Sequence, residues 1–377
     1  MNTQLTDLPS PAYIIDEVCL EQNLTYFHYI KEKTKCKILL ATKAYSCFST
    51  YDLIAEILDG TTNSSLHEAR LSAEYFGKET HVYSPAYKQA DFEKIIEVAD
   101  CITFNSLNQW QLFREKVTEN IHIGLRINPE HVEVRNKMYS PCAPGSRFGL
   151  LYSDLENQDL TGVSGFHIHA LCQNNEDSLQ RLMLTTEEKF SVYLKRSEIK
   201  WINFGGGHMI SKSSYNRDLL CEFIQDFQNK YNVQVVLEPG ESVVLNCGTL
   251  LTTVLDIVHN KMDIAIVDSS ATAHMPDVLE MPYTPDCENA FKANESNHTY
   301  RIGGNTCLSG DIIGEYSFEK KLKIGDTLLF KDMAQYTMVK NTTFNGIPLP
   351  AIVIKRQSGT FDVIKEFNYD DFKTRLS

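Results

Sequence analysis

The chain has 377 residues, 42% hydrophobic and 23% charged, the make-up of an ordinary globular protein with room for two domains or a barrel plus an appendage. Its formal net charge of −13, from 49 acidic against 36 basic residues, argues against nucleic acid or an anionic membrane as partner and suits a cationic ligand. Ten cysteines without a C-x-x-C pair argue against structural zinc and redox motifs and point to reduced thiols.

The start, Met1-Asn2-Thr3-Gln4-Leu5-Thr6-Asp7, has neither a basic region nor an apolar core, so no leader is expected. No apolar run approaches the roughly 18 residues of a membrane span. The expected place is the cytoplasm. A first strand at 12–15 has no helix partner of its own and is expected to join a later β-rich part. Eight short apolar runs follow, at 36–41, 62–65, 81–84, 101–105, 121–127, 163–169, 201–204 and 233–238. Helix-patterned stretches at 49–58, 66–76, 89–98, 106–116, 187–195 and 219–231 lie between them. This alternation predicts an α/β fold, a (β/α)8 barrel over residues 16–242, with an open doubly wound sheet as the alternative. Beyond 242, strand-like segments at 248–258, 263–268, 327–330, 336–339 and 351–355 predict a C-terminal β-rich domain made of residues 1–15 and 243–377. The polar, turn-rich stretch 282–298 reads as a loop or insertion.

Side chains at the C-terminal ends of barrel strands converge on one mouth. Here those ends are Lys43, Ser65, Ser84, Asn105, Arg126, His167 or His169, Gly205-Gly206-Gly207 and Glu238. Lys43, desolvated at such a mouth, would lose its proton easily and bond to a carbonyl compound; most lysines after strands are merely solvated ends. The glycine triplet would let backbone N–H groups approach a phosphate, and a plain tight turn accounts for it equally well. Glu238 either keeps a heterocycle nitrogen protonated or is a solvated acid before a Pro-Gly turn. The His167-Ile168-His169 segment has three readings: a zinc site of a barrel hydrolase, an imidazole stacked on a ligand ring, or a core histidine. No second cluster of metal spacing follows it, so no metal is expected. Cys307, taken alone, reads as a buried thiol in a turn.

In order along the chain, Lys43, His167, the glycine triplet, Glu238-Pro239-Gly240, Cys307 to Asp311 and Tyr336 resemble the fold-type III pyridoxal-phosphate decarboxylases. Within that group the marks resemble the carboxynorspermidine/carboxyspermidine decarboxylases. They are Ala41-Thr42-Lys43-Ala44, Ser146-Arg147-Phe148-Gly149-Leu150, Phe166-His167-Ile168-His169-Ala170-Leu171-Cys172, Phe204-Gly205-Gly206-Gly207-His208, Glu238-Pro239-Gly240-Glu241 and the stretch from His274 to Pro282. The resemblance implies pyridoxal 5'-phosphate carried by Lys43, with His167 stacked on its ring and Glu238 on its nitrogen. Gly206, Gly207 and Tyr336 would hold the phosphate. Cys307 would deliver a proton to the substrate's α-carbon, and Glu241, Asp277 and Asp311 would grip the amines of a carboxylated polyamine. It also implies a homodimer with shared active sites, Cys307 and Asp311 reaching into the partner's. Where ornithine and diaminopimelate decarboxylases have an acid after the cysteine, this chain has Leu308; where they have arginine after Glu-Pro-Gly, it has Glu241. Another decarboxylase or a racemase of the same fold is the nearer alternative, and a zinc hydrolase using His167 and His169 the more distant one.

Overall fold

The computed structural model describes residues 5–133 and 140–377, so part of the stretch read for a leader, residues 1–4, lies outside it. The chain divides into two compact units, Gln22–Val243 and Met1–Glu21 with Val244–Ser377. The first strand, β1 (Ala12–Asp16), belongs to the second of these units.

The next eight strands are β2 (Lys37–Ala41), β3 (Gly60–Asn63), β4 (Glu79–Tyr83), β5 (Cys101–Phe104), β6 (His122–Arg126), β7 (Gly165–His167), β8 (Trp201–Asn203) and β9 (Gln234–Leu237). All are parallel, their order around the barrel is the chain order, and β9 closes on β2 through Lys37–Val236 and Ile38–Leu237. The interior is packed rather than hollow. Trp201 fills the floor, and a β-carbon at Gly124 or Gly165 would strike its indole, which is why those two strands carry glycine there. The indole nitrogen donates to Ser164 Oγ at 3.1 Å. At the same end, Lys37 Nζ lies 2.6 Å from Glu79, whose carboxylate is 2.9 Å from His81 Nε2.

Helices connect the strands, and two differ from expectation. The helix Glu17–Thr34 follows β1 directly, so that strand does have a helix after it. Its buried stripe, Leu20, Leu24, Phe27 and Ile30, recurs at helical spacing and packs inward. The helix expected from 187 starts at Glu176, after Asn175, because the apolar stripe already runs through Leu179, Leu182, Met183 and Thr186.

The other unit is built on a nine-stranded mixed sheet. Its later strands are β10 (Gly248–His259), β11 (Asp263–Val267), β12 (Phe291–Lys292), β13 (His298–Gly303), β14 (Ile312–Phe318), β15 (Thr327–Lys331), β16 (Ala351–Lys355) and β17 (Phe361–Lys365). The order is β12-β14-β13-β11-β10-β1-β16-β17, with β15 paired to β10. β1 is antiparallel to β10 and parallel to β16, joining the unit as the sequence suggests. Residues 336–339 are not a strand: they form a bend and turn, with Tyr336 at φ 50°, a left-handed value incompatible with a ladder. β13 and β14 escape the sequence reading, since Gly314 breaks the β14 pattern, yet it lies where a β-carbon would meet the Tyr316 ring. The stretch 282–298 is largely loop but is tied to the sheet by β12 and a Cys287–Phe330 bridge. Among the described residues, no helix is long and apolar enough to cross a membrane.

Candidate active site

Pleating turns every second residue of a barrel strand inward. Counting by two to the C-terminal end of each strand, or just past it, gives Lys43, Asn63, Tyr83, Asn105, Arg126, His167, Asn203 and Glu238. These polar groups and one tyrosine share one mouth, so Lys43 and Glu238 lie at the same end of the barrel. Their loops also touch: Ala41 N–H donates to the Pro239 carbonyl at 2.9 Å, and a β-carbon at Gly240 would strike that of Ala44.

The Lys43 backbone is held by its neighbour. Thr42 Oγ1 lies 3.0 Å from Glu68, 3.1 Å from Asn63 Oδ1 and 3.1 Å from the Thr62 carbonyl. The side chain is reached by solvent within this chain, although protein surrounds much of it. Burial there pushes its pKa below the usual lysine range, Glu238 opposing and Arg126 adding to the effect. Glu238 Oε1 accepts from Asn203 Nδ2 at 2.7 Å, and Oε2 from His167 Nε2 at 3.1 Å. Burial alone would raise this carboxyl, but His167 and Asn203 outweigh it and hold Glu238 well below the usual carboxylate range. It is a buried anion, not the solvated acid of the alternative reading. Burial, opposed by Glu238, pushes His167 down. One face of that ring stacks on Tyr83, centroids 5.1 Å apart, and the Arg126 guanidinium lies 4.7 Å from the same tyrosine ring and 4.5 Å from Phe148.

Packing alone accounts for the three glycines. A β-carbon at Gly206 would collide with the Glu238 carbonyl oxygen, one at Gly207 with that of Leu171, and one at Gly205 with His169. The Gly205 N–H donates to Asn203 Oδ1 at 2.8 Å and the Gly206 N–H to His169 Nδ1 at 3.3 Å. The two histidines are therefore committed to different partners. Among the described residues no three His, Cys, Asp or Glu side chains gather as a metal site would require. Glu241, half-buried in the turn after Glu238, accepts from Gln173 Nε2 at 2.9 Å.

The remaining candidates belong to the sheet unit. Cys307 is exposed within this chain, not buried as the turn alone suggests. Asp311 is held within the sheet unit. It is only 3% exposed and accepts from Ser270 Oγ (3.0 and 2.9 Å), from the Ala271 and Thr272 amides (2.7 and 3.3 Å), and from Thr306 N and Oγ1 (3.3 and 2.6 Å). Those contacts take up the lone-pair sites that a carboxylate offers, about four. Asp311 is an internal anchor. Asp277 is paired with Lys340, which also bridges Glu280, so its charge is already matched. Tyr336 is half-buried and left-handed, a strained state that tends to mark functional segments.

Asn63, Tyr83, Asn203 and the Thr42–Glu68 contact are the parts of the site that strand-end reading alone misses. The signal for Tyr83 and Asn203 was present: each stands at the last inward position of its strand, two residues after His81 and Trp201 respectively, in stretches read only for their apolar character.

A family model described as pyridoxal-dependent decarboxylase, C-terminal sheet domain, matches residues 12–334. A carboxynorspermidine/carboxyspermidine decarboxylase of Campylobacter jejuni is 41% identical, with 98% of each chain covered. A carboxyaminopropylagmatine decarboxylase of Synechocystis sp. is 40% identical, covering 100% of this chain and 97% of the other. The crystal structure of carboxynorspermidine decarboxylase complexed with norspermidine, from Campylobacter jejuni, superposes with a TM-score of 0.91 at 41% identity, covering 98% of this chain and 100% of that one.

Proposed function

From the premise that this chain belongs to the pyridoxal-dependent decarboxylases, we propose that it decarboxylates carboxynorspermidine, carboxyspermidine or both, yielding norspermidine and spermidine in polyamine biosynthesis. The observation that carries this reading is the pairing, at one barrel mouth, of a lysine whose proton is easily lost with a buried carboxylate held anionic.

The residues present fit pyridoxal phosphate. Glu238, ionised and oriented by Asn203, is the group to keep a pyridine nitrogen protonated. Lys43 offers the amine, and His167, backed on one face by Tyr83, offers the flat surface. Gly206, Gly207 and Tyr336 would hold the phosphate. Once bound, the cofactor supplies a sink for the electron pair left when CO2 departs. Cys307 then delivers a proton to the substrate's α-carbon, the bond to carbon dioxide being replaced by one to hydrogen. Its exposure in the single chain supports a homodimer in which it serves the partner's site, and sedimentation of the purified protein at a monomer's mass would remove that part of the reading. Glu241 supplies a charge for a substrate amine, in place of the arginine of ornithine and diaminopimelate decarboxylases. We place the enzyme in the cytoplasm.

A second reading concerns the far end of the substrate. The Synechocystis relative acts, by its name, on a carboxyaminopropyl derivative of agmatine, which ends in a guanidinium rather than an ammonium, and its identity to this chain is nearly the same. The test is CO2 release by the pyridoxal-phosphate-loaded protein from each compound. Carboxynorspermidine and carboxyspermidine are expected to lead in kcat/KM, with diaminopimelate, lysine and ornithine far behind. The agmatine derivative ahead of both would favour the second reading, and diaminopimelate or ornithine ahead would overturn the polyamine assignment.

A further inference from the structure

The loop bearing Cys307 is tied down at both flanks but barely at its tip. On one side Thr306 N and Oγ1 donate to Asp311; on the other the Asp311 N–H donates to the Leu308 carbonyl at 2.9 Å, and Gly304 N–H to the Asp311 carbonyl at 2.8 Å. Residues 307–310 are exposed. The Cys307 N–H donates across 38 positions of sequence to Asn345 Oδ1, at 2.7 Å. Asn345 lies in the short turn Phe344–Gly346, with φ 56° and ψ 12°. Asparagine is among the few residues besides glycine that accept this left-handed state readily. One residue thus supplies both the backbone turn and the acceptor.

Resting on the reading of Cys307 as proton donor, we infer that Asn345 is a positioning residue for the reaction: its amide oxygen fixes the Cys307 backbone, and so the direction in which the thiol points. A proton transfer needs its donor within about 3 Å of the receiving atom, and a tip free to swing would meet that geometry only part of the time. Asp311 provides the base of the same device. Its carboxylate anchors the loop that carries the acid.

Three variants of the cofactor-loaded enzyme, compared for kcat, KM and thermal midpoint, test this. Asn345→Gly keeps the turn and removes the acceptor. It is expected to lower kcat about threefold to tenfold, the effect of one hydrogen bond on an optimised geometry, with KM and midpoint close to those of the unaltered enzyme. Asn345→Asp keeps both turn and acceptor and is expected to restore most of kcat. An Asn345→Gly enzyme with kcat intact, or an Asn345→Asp enzyme no better than it, overturns the inference. If the glycine variant does not fold, Asn345→Asp against the unaltered enzyme carries the test: kcat within about threefold is expected, and a tenfold loss overturns the inference. Cys307→Ser, assayed alongside, separates the two levels. If it leaves kcat unchanged, the proton-donor role fails and the inference with it; if it cripples kcat while Asn345→Gly does not, the inference alone fails.

Discussion

Lys43 and Glu238 are far apart in sequence, and neither residue type is rare, so the weight of the site rests on what surrounds each. Around Glu238 two donors outweigh burial and keep a negative charge where water is scarce. That arrangement is costly unless a positive group is to be met there. Replacing it tests the role: Glu238→Gln keeps the shape but removes the charge. The amide also keeps only one of the two acceptor oxygens, so the expected fall in kcat, on the order of 10²-fold as for other preorganised electrostatic groups, comes with a much smaller change in KM. A loss confined to KM would assign Glu238 to binding rather than to the electronics of the cofactor. The glycines teach a different lesson: each is required by backbone packing against Glu238, Leu171 or His169, whatever phosphate they also serve.

At the scale of elements, the eight strands were legible as compact apolar runs, because a parallel barrel buries both strand faces. What pattern reading blurred was their ends. Residue 65, read as a strand end, caps the helix Leu66–Tyr75 by accepting from the Glu68 N–H, and the inward position is Asn63. The helix Glu17–Thr34 carries a stripe at helical spacing, Leu20, Leu24, Phe27 and Ile30, separated by polar residues. Strands β13 and β14 were hidden by glycine and polar positions that only their cross-strand partners rationalise. The barrel floor gives a pH prediction. The hydrogen bond from His81, with help from Lys37 and against burial, holds Glu79 down at about 2; its contribution to stability is present above its ordinary 4.5 and fades as pH falls through about 2. For His81, burial works downward but Cys101 and Glu79 raise it to about 9, so its contribution is full below 6.5 and is lost as pH rises through about 9. The thermal midpoint of His81→Gln should therefore lie below that of the unaltered protein at pH 6.5 and approach it by pH 9. A gap that stays constant over that range would show that His81 stabilises by packing, not charge.

For the whole molecule, an acidic surface and a family whose relatives handle polyamines are mutually consistent, since a net charge of −13 draws in cationic substrates. The order of motifs along the chain carried the assignment further than any one of them, as each alone had an ordinary explanation. Asp311 shows where that kind of inference stops: its burial under six contacts is a property of the folded sheet unit. The central claim is that cofactor and protein join at position 43. Reduction of the pyridoxal-phosphate-loaded enzyme with borohydride, followed by digestion and mass mapping, tests it in one measurement. The account predicts the cofactor's mass on the peptide containing Lys43 and on no other; its appearance on a different lysine, or on none, would contradict it.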